Sequence, residues 1–266
     1  MNYTFENSLQ NSLQNTSQNN FGIIIMAGGL GKRMNSDLPK VLHKLNNIPL
    51  IIHILKTIIE IKPTKIFIIV GKYKTIIENT IKEYIPLNII EENIIYVIQE
   101  NPLGTGHAIH CCKSILTNYK NIINKICILS GDVPLIKSNT ILNLLNNTKE
   151  SNILTANIDE PYGYGRIILD NSNNIKKIVE EKDCNLDEKQ IKLINSGIYS
   201  FNINIIIEYI DLIDNNNSQN EYYLTQIFEL LVKNNISINY NIINNIIEIT
   251  GINTQEQLKE LEKIKE

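Results

Sequence analysis

Three glycines within four positions stand between an apolar run and a pair of cations near the start of the chain. The glycines and cations are Gly28, Gly29, Gly31, Arg33 and Lys40. Glycine has no Cβ, so it can adopt a positive φ and allow backbone N–H groups to approach a phosphate closely. The two cations supply the charge that a triphosphate needs. The pattern predicts a buried strand that leads into a phosphate-binding loop, although it matches neither the dinucleotide-binding glycine fingerprint nor the P-loop.

A second group of polar residues follows another apolar run. Gln99 ends the run, and Gly104 and Thr105 open the next helical pattern. An amide side chain carries both a donor and an acceptor, which complement the N3–H and carbonyl groups of uracil. We therefore expect this strand end to read a base. A plain helix start with Thr105 as a local cap would explain Thr105 but not Gln99, and we expect His107 to pack or to cap the helix.

A carboxylate follows a third apolar run. Asp132 comes directly after Cys127 to Ser130 and Gly131. In open parallel sheets, ligands bind beyond the carboxyl ends of the strands. Mg²⁺ takes oxygen ligands and usually only one or two carboxylates from the protein. Asp132 is therefore a candidate magnesium ligand.

These segments resemble the signature of the sugar-1-phosphate nucleotidyltransferases, and most closely the uridyltransferase domain of bacterial N-acetylglucosamine-1-phosphate uridyltransferases. The first matching segments are Ala27-Gly28-Gly29-x-Gly31-x-Arg33-Met34 and Ser36-Asp37-Leu38-Pro39-Lys40-Val41-Leu42-His43. Three later segments follow in the family's order, namely Gly163-Tyr164-Gly165-Arg166, Val179-Glu180-Glu181-Lys182-Asp183 and Leu193-Ile194-Asn195-Ser196-Gly197-Ile198-Tyr199. The resemblance covers about residues 22–265.

The resemblance implies a Rossmann-like α/β fold, with a mixed, mostly parallel sheet flanked by helices, and a set of site residues. Its catalytic residues would be Arg33 and Lys40. Its nucleotide-binding residues would be Met26, Ala27, Gly28, Gly29, Gln99, Gly104, Thr105, Ser130 and Gly131. Its sugar-binding residues would be Gly165, Glu180, Asn195, Tyr223 and Thr225. Asp132 and Asn253 would hold Mg²⁺.

Several of these assignments have a structural alternative. Asp132 and Asn253 could each cap the helix that follows, since Asp and Asn are favoured N-caps. Glu180 could be a surface charge, Asn195 a turn residue and Tyr223 a core residue.

The family's reaction joins UTP to N-acetylglucosamine 1-phosphate and releases pyrophosphate. Ser130 stands where we expect a Tyr in the bacterial relatives, so another sugar 1-phosphate, such as glucose or galactosamine, or dTTP remains an alternative. A non-catalytic nucleotide-sugar sensor is a further alternative. The relatives carry hexapeptide repeats after this domain, whereas this sequence ends at Glu266 without them, so we expect no acetyltransferase activity.

Composition limits the other classes of function. A net charge of −3 provides no basic field for nucleic acid, and the four cysteines lack the spacing of a zinc site or disulfide framework. No signal peptide or membrane-spanning run is apparent, so we expect a cytoplasmic protein. The oligomeric state stays open.

We expect residues 1–20 to be disordered, and residues 21–135 and 136–266 to form the nucleotide-binding and sugar-binding halves.

The rest of the chain alternates apolar runs with helical patterns, which is typical of a largely parallel sheet. We predict strands over Lys65 to Gly71, Asn93 to Gln99 and Asn152 to Ile158, and helices from Pro49 to Glu60 and from Thr75 to Tyr84. Asn47 replaces a glycine of the relatives, and asparagine tolerates the left-handed conformation best among the other residues.

Overall fold

The computed structural model describes residues 20–29, 31–34 and 36–264. The predicted disordered tail lies outside these residues except for Asn20, whose carbonyl accepts a hydrogen bond from the Asn124 amide at 2.7 Å.

Among the described residues, nine strands form one mixed sheet. They are β1 (Phe21–Met26), β2 (Lys65–Val70), β3 (Ile94–Ile98), β4 (Lys125–Ser130), β5 (Ser151–Asn157), β6 (Gly165–Leu169), β7 (Ile175–Val179), β8 (Leu193–Asn202) and β9 (Ile238–Ile242). Their main order is β9-β5-β8-β4-β1-β2-β3, and β6 pairs with both β8 and β7. The short strands Lys44–Leu45 and Ile48–Pro49 form a separate hairpin.

Eight α-helices connect or flank the strands in the described part of the chain. They are α1 (Leu50–Glu60), α2 (Lys74–Tyr84), α3 (Leu87–Asn93), α4 (Thr105–Tyr119), α5 (Ser138–Leu145), α6 (Ile203–Tyr209), α7 (Gln226–Lys233) and α8 (Gln255–Ile264).

Strand direction decides where the loops meet. The pairs β3–β2, β2–β1 and β1–β4 are all parallel, whereas β8 runs antiparallel to β4 and β5. The expected α/β architecture with a mostly parallel sheet is thereby confirmed. The loops after β1, β2, β3 and β4 consequently open at one edge of the sheet. In register, Met26 at the end of β1 stands opposite Ser130 at the end of β4.

Both faces of the sheet are covered, and this explains the unbroken apolar runs of its strands. Ile23 and Ile25 pack on one face, where α1, α2 and α5 lie. Ile24 packs on the other face, where α4, α6 and α7 lie. All three isoleucines of β1 are fully buried. The apolar run of β1 therefore reflects its place in the middle of a two-faced core.

The predicted elements agree with the observed ones to within one or two residues. The first helix begins at Leu50, with Pro49 as its N-cap residue. Asn47 has a φ of 63°, as its left-handed assignment requires. The helix α3 was not predicted, because its seven residues lie between Pro86 and β3 and offer too short a pattern to read.

The two predicted halves of the chain share this sheet. Residues of β4 and β8 pair across the boundary, with Ile128 opposite Tyr199. Among the described residues, no helix combines the length and the apolar character needed to cross a membrane.

Replacing Ile24 tests the importance of the buried central strand. Ile24→Ala should lower the free energy of unfolding by about 2–5 kcal/mol, because it leaves a cavity in a fully packed core. Ile98→Ala is the matched control, since Ile98 is 50% exposed at the sheet edge and should cost less than about 1 kcal/mol. Urea unfolding measures both, and equal losses would contradict this description of the core.

Candidate active site

Two cavities lie side by side at the carboxyl ends of the parallel strands. The first has a volume of about 300 Å³ and the second a volume of about 420 Å³. Both are lined by Met26, Thr105, Ser130 and Asp132. Because they share one wall at the ends of β1 and β4, two ligands could lie next to each other with Asp132 between them.

The first cavity receives most of the predicted nucleotide-binding residues. Its lining includes Met26, Gly28, Gly29, Gln99, Gly104, Thr105 and Ser130. Ala27 and Gly131 are not among the lining residues. The Gly131 amide donates to the Met26 carbonyl at 2.9 Å, and a Cβ on Gly131 would stand 2.8 Å from Val41 Cγ1. Gly131 therefore allows the two loops to approach closely.

The predicted catalytic and metal residues form one polar cluster, the Asp132 cluster, made of Arg33, Lys40, Asp132 and Asn253. Lys40 Nζ forms an ion pair with Asp132 Oδ2 and donates to Asn253 Oδ1 at 2.7 Å. An Arg33 guanidinium N–H donates to the same amide oxygen at 2.9 Å. The fold thus brings together four residues that the sequence separates by up to 220 positions.

The donor atoms of the Asp132 cluster fit a magnesium ion. The carboxylate of Asp132 and the amide oxygen of Asn253 both already face a cation. In the described part of the chain, no group of three or more His, Cys, Asp or Glu side chains could hold a metal. One carboxylate and one amide oxygen are nevertheless sufficient for Mg²⁺, which usually completes its shell with water and substrate phosphates.

The helix-capping alternatives for Asp132 and Asn253 do not agree with the structure. The helix after Asp132 begins only at Ser138. Before α8, the Thr254 hydroxyl accepts from the Gln257 amide at 3.2 Å, and Gln257 Oε1 accepts from the Thr254 amide at 3.2 Å. This reciprocal pair is a capping box, so Thr254 caps the helix. The side chain of Asn253 is therefore available to the cluster.

Gln99 is held in one orientation at the end of β3. It is 7% exposed, and its Nε2 donates to the Gly104 carbonyl at 3.2 Å and lies 3.0 Å from His107 Nδ1. A Cβ on Gly28 would stand 3.4 Å from Gln99 Oε1, so the amide oxygen faces the glycine loop.

Glycine is required at position 104 by both conformation and space. Its φ is +117°, and a Cβ there would stand 2.5 Å from the Tyr222 carbonyl oxygen. Thr105 Oγ1 accepts from the Leu224 amide at 3.0 Å, so its hydroxyl joins two loops instead of capping α4 locally. These contacts attach the segment around Tyr222 to the start of α4.

The second cavity receives Gly165, Glu180, Asn195 and Thr225. The pairing of β8 with β5 shifts register between Asn195 and Tyr199, and Gly197 has a φ of +77°. Such a bulge re-aims the side chains next to it. Asn195 Nδ2 donates to the Tyr199 hydroxyl at 2.8 Å, and its Oδ1 accepts from the Gly197 amide at 3.1 Å. One N–H of Asn195 is left for a ligand.

Glu180 lies within the second cavity instead of on the open surface. Its Oε1 accepts from the Thr225 hydroxyl at 2.8 Å, and its Oε2 would stand 3.4 Å from a Cβ on Gly165. Burial raises the pKa of Glu180 and the Thr225 hydrogen bond opposes this, while the nearby Asp183 and Glu221 raise it further. At neutral pH the Glu180 carboxylate can therefore pair with hydroxyl groups, but its ionised form carries a desolvation cost.

Tyr223 does not reach the same cavity. Its hydroxyl accepts from Gln219 Nε2 at 2.8 Å, and its ring lines a neighbouring cavity of about 340 Å³. Sequence reasoning also missed two residues of the site. Tyr199 orients Asn195, and its position is set by the bulge of β8. His107 contacts Gln99. In the sequence, only its position close after Gly104, in the first turn of α4, could have indicated this contact.

The pKa of Glu180 leads to a prediction about stability and pH. A carboxyl with a raised pKa in the folded state contributes stability when protonated, and this contribution is lost as pH rises through the raised value. Relative to Glu180→Gln, the wild-type free energy of unfolding should therefore fall as pH rises above the ordinary glutamate range, about 4.3. Urea unfolding over a series of pH values measures this difference.

The exposed Glu208 provides the matched control for this experiment. Glu208→Gln should show no such trend. A difference between the wild type and Glu180→Gln that stays constant with pH would contradict the burial of the Glu180 carboxyl.

Comparison with known proteins agrees with this fold. The sequence profile of the nucleotidyl transferase family matches residues 23–247. A protein of Acanthamoeba polyphaga mimivirus, named as a probable UDP-N-acetylglucosamine pyrophosphorylase, is 44% identical over 91% of this chain and 95% of its own length. The bifunctional protein GlmU of Prochlorococcus marinus is 40% identical over 90% of this chain, and that of Clostridium tetani 39% over 91%. The chain spans about half the length of these two relatives, 52% and 51%.

Solved structures share the fold at lower identity. A UDP-glucose pyrophosphorylase in complex with UDP-glucose matches 92% of this chain and 98% of its own, with a TM-score of 0.69 and 20% identity. HddC from Yersinia pseudotuberculosis matches 92% of this chain and 100% of its own, with a TM-score of 0.61 and 20% identity. On the extent of the profile match and the identity to the mimivirus relative, this chain belongs to the nucleotidyl transferase family.

Proposed function

We propose that this protein transfers a uridylyl group from UTP to N-acetylglucosamine 1-phosphate, forming UDP-N-acetylglucosamine and pyrophosphate. The observation that carries the proposal is the pair of adjacent cavities that share Asp132. The name of the mimivirus relative supports the choice of nucleotide and sugar, since that relative matches almost its full length.

The first cavity suits the uracil nucleotide. Gln99 Oε1 faces the cavity and can accept a hydrogen bond from the N3–H of uracil. The glycine loop and Lys40 line the same cavity, so backbone N–H groups and one ammonium group would meet the phosphates.

The second cavity suits a neutral amino sugar. Glu180 can accept hydrogen bonds from sugar hydroxyls, and Asn195 keeps one free N–H as a donor. Gly165 lines the same cavity beside this carboxylate, since a Cβ on it would stand 3.4 Å from Glu180 Oε2. A carboxylate and an amide are the kinds of polar groups that orient a sugar in a pocket.

The chemistry follows from placing the two substrates on either side of Asp132. An oxygen of the sugar phosphate attacks the α-phosphorus of UTP, and the bond from that phosphorus to the bridging oxygen of pyrophosphate breaks. The attacking oxygen is already an anion, so no general base is required. Arg33 and Lys40 lie where they can neutralise charge on the departing pyrophosphate, and alignment provides most of the remaining acceleration.

Asp132 and Asn253 are the residues that would hold Mg²⁺ in this enzyme. A magnesium ion supplies positive charge to phosphate oxygens and reduces the repulsion between two anionic substrates. Because Lys40 pairs with Asp132, an ion held there would compete with the Lys40 ammonium group for that carboxylate.

The activity test is pyrophosphate release with UTP and Mg²⁺. Wild type should release pyrophosphate with N-acetylglucosamine 1-phosphate faster than with glucose 1-phosphate. Asp132→Asn should lower kcat by about a hundredfold or more while the protein remains folded, because it removes the one carboxylate of the metal site.

Asp159→Asn is the matched control. The Asp159 side chain is 92% exposed and pairs with Lys192 at 2.7 Å, away from both cavities, so this variant should keep wild-type turnover. Turnover with glucose 1-phosphate alone would contradict the proposed sugar but not the proposed uridylyl transfer. Absence of turnover with every sugar, despite binding of the nucleotide-sugar, would instead favour the sensor alternative.

A further inference from the structure

The amide of Gln99 has both of its donor hydrogens engaged inside the protein. A primary amide carries two N–H donors and one carbonyl acceptor. One donor faces the Gly104 carbonyl at 3.2 Å and the other faces His107 Nδ1 at 3.0 Å. The carbonyl oxygen is left on the side of Gly28, which lines the first cavity. The protein thus presents an acceptor, and no donor, to the base.

His107 provides half of this orientation. A neutral imidazole with its hydrogen on Nε2 offers Nδ1 as an acceptor. If the Gln99 amide turned over, its oxygen would face two acceptors, the Gly104 carbonyl and His107 Nδ1. Without the imidazole, only the Gly104 carbonyl would oppose this rotation.

The surroundings of His107 favour its neutral form. Burial and the neighbouring His110 lower the pKa of His107, while a hydrogen bond with the Asn101 backbone acts in the opposite direction. The ring of His110 stacks on the His107 ring, with 6.3 Å between the ring centroids. The Tyr222 ring lies at the same distance from the His107 ring.

We propose that His107 is a positioning residue that sets the choice of pyrimidine by fixing the Gln99 carbonyl towards the base. Uracil offers an N3–H donor to this carbonyl, whereas N3 of cytosine is an acceptor and would be repelled. The inference rests on the proposed use of a uracil nucleotide and identifies the residue that enforces it. His107 touches no phosphate or sugar in this arrangement and acts only through Gln99.

Binding of UDP and CDP in the presence of Mg²⁺, measured by titration calorimetry, tests the proposal independently of turnover. Wild type should bind UDP more tightly than CDP. His107→Leu should lower the ratio of the two affinities roughly tenfold, because the amide loses one of the two bonds that fix its orientation. His107→Asn should restore most of the ratio, since its Oδ1 and the histidine Nδ1 are both bonded to Cγ.

His110→Leu is the matched control on the same helix. His110 lies 3.2 Å from Asp211, and at pH 8, above the ordinary histidine pKa of about 6.5, His107 stays neutral without it, so its loss should leave the ratio unchanged. Thermal unfolding shows which variants are folded. Should His107→Leu fail to fold, His107→Phe keeps a ring, lacks the acceptor and should lower the ratio to the same extent.

The outcomes separate this inference from the proposed function. A folded variant without the acceptor that keeps the wild-type ratio overturns the role of His107, even if the wild type is active. An equal fall in the ratio with His110→Leu also overturns it. Conversely, a wild type that prefers UDP through His107 but releases no pyrophosphate upholds the inference and contradicts the proposed function.

Discussion

The site depends on the parallel register of two central strands. Met26 stands opposite Ser130, so the glycine loop after β1 and the Asp132 loop after β4 leave the sheet side by side. The register is continuous along the two strands, from Phe21 opposite Lys125 to Met26 opposite Ser130. Gly131 then admits the Met26 carbonyl and Val41 closely enough for Asp132 to form its ion pair with Lys40. The position of the carboxylate is thus a consequence of core packing.

The walls of the two cavities are completed by segments distant in the sequence, each attached by a few hydrogen bonds. The Ile252 amide donates to the Asp132 carbonyl at 2.9 Å, which brings Asn253 to the cluster. The Gly106 amide donates to the Tyr222 carbonyl at 2.7 Å. This contact holds the segment from which the Thr225 hydroxyl donates to Glu180. Lys40 contacts an oxygen of each of the two proposed metal ligands, Asp132 and Asn253. The four side chains of the Asp132 cluster are therefore held together by their own ion pair and hydrogen bonds.

Local sequence patterns predicted the strands, the glycine loop and Asp132, because these features depend on neighbouring residues and on the edge at which parallel strands end. They could not predict Tyr199, because its contact with Asn195 exists only through the bulge in β8. They also could not show that His107 fixes Gln99, since that contact depends on how the helix leaves the loop. The resemblance assigned Tyr223 to the sugar site, yet this residue lines a neighbouring cavity. Sequence gives no information on which side of an irregular loop a side chain lies.

The central claim is that two substrates bind together and react by direct displacement. The wall that the two cavities share at Asp132 supports this claim. Exchange of radiolabelled pyrophosphate into UTP measures it most directly, with and without N-acetylglucosamine 1-phosphate. Direct displacement predicts exchange only when the sugar phosphate is present, because the reverse reaction needs the nucleotide-sugar. Exchange without the sugar phosphate would reveal a uridylylated enzyme and contradict direct displacement. No exchange under either condition would contradict catalysis altogether.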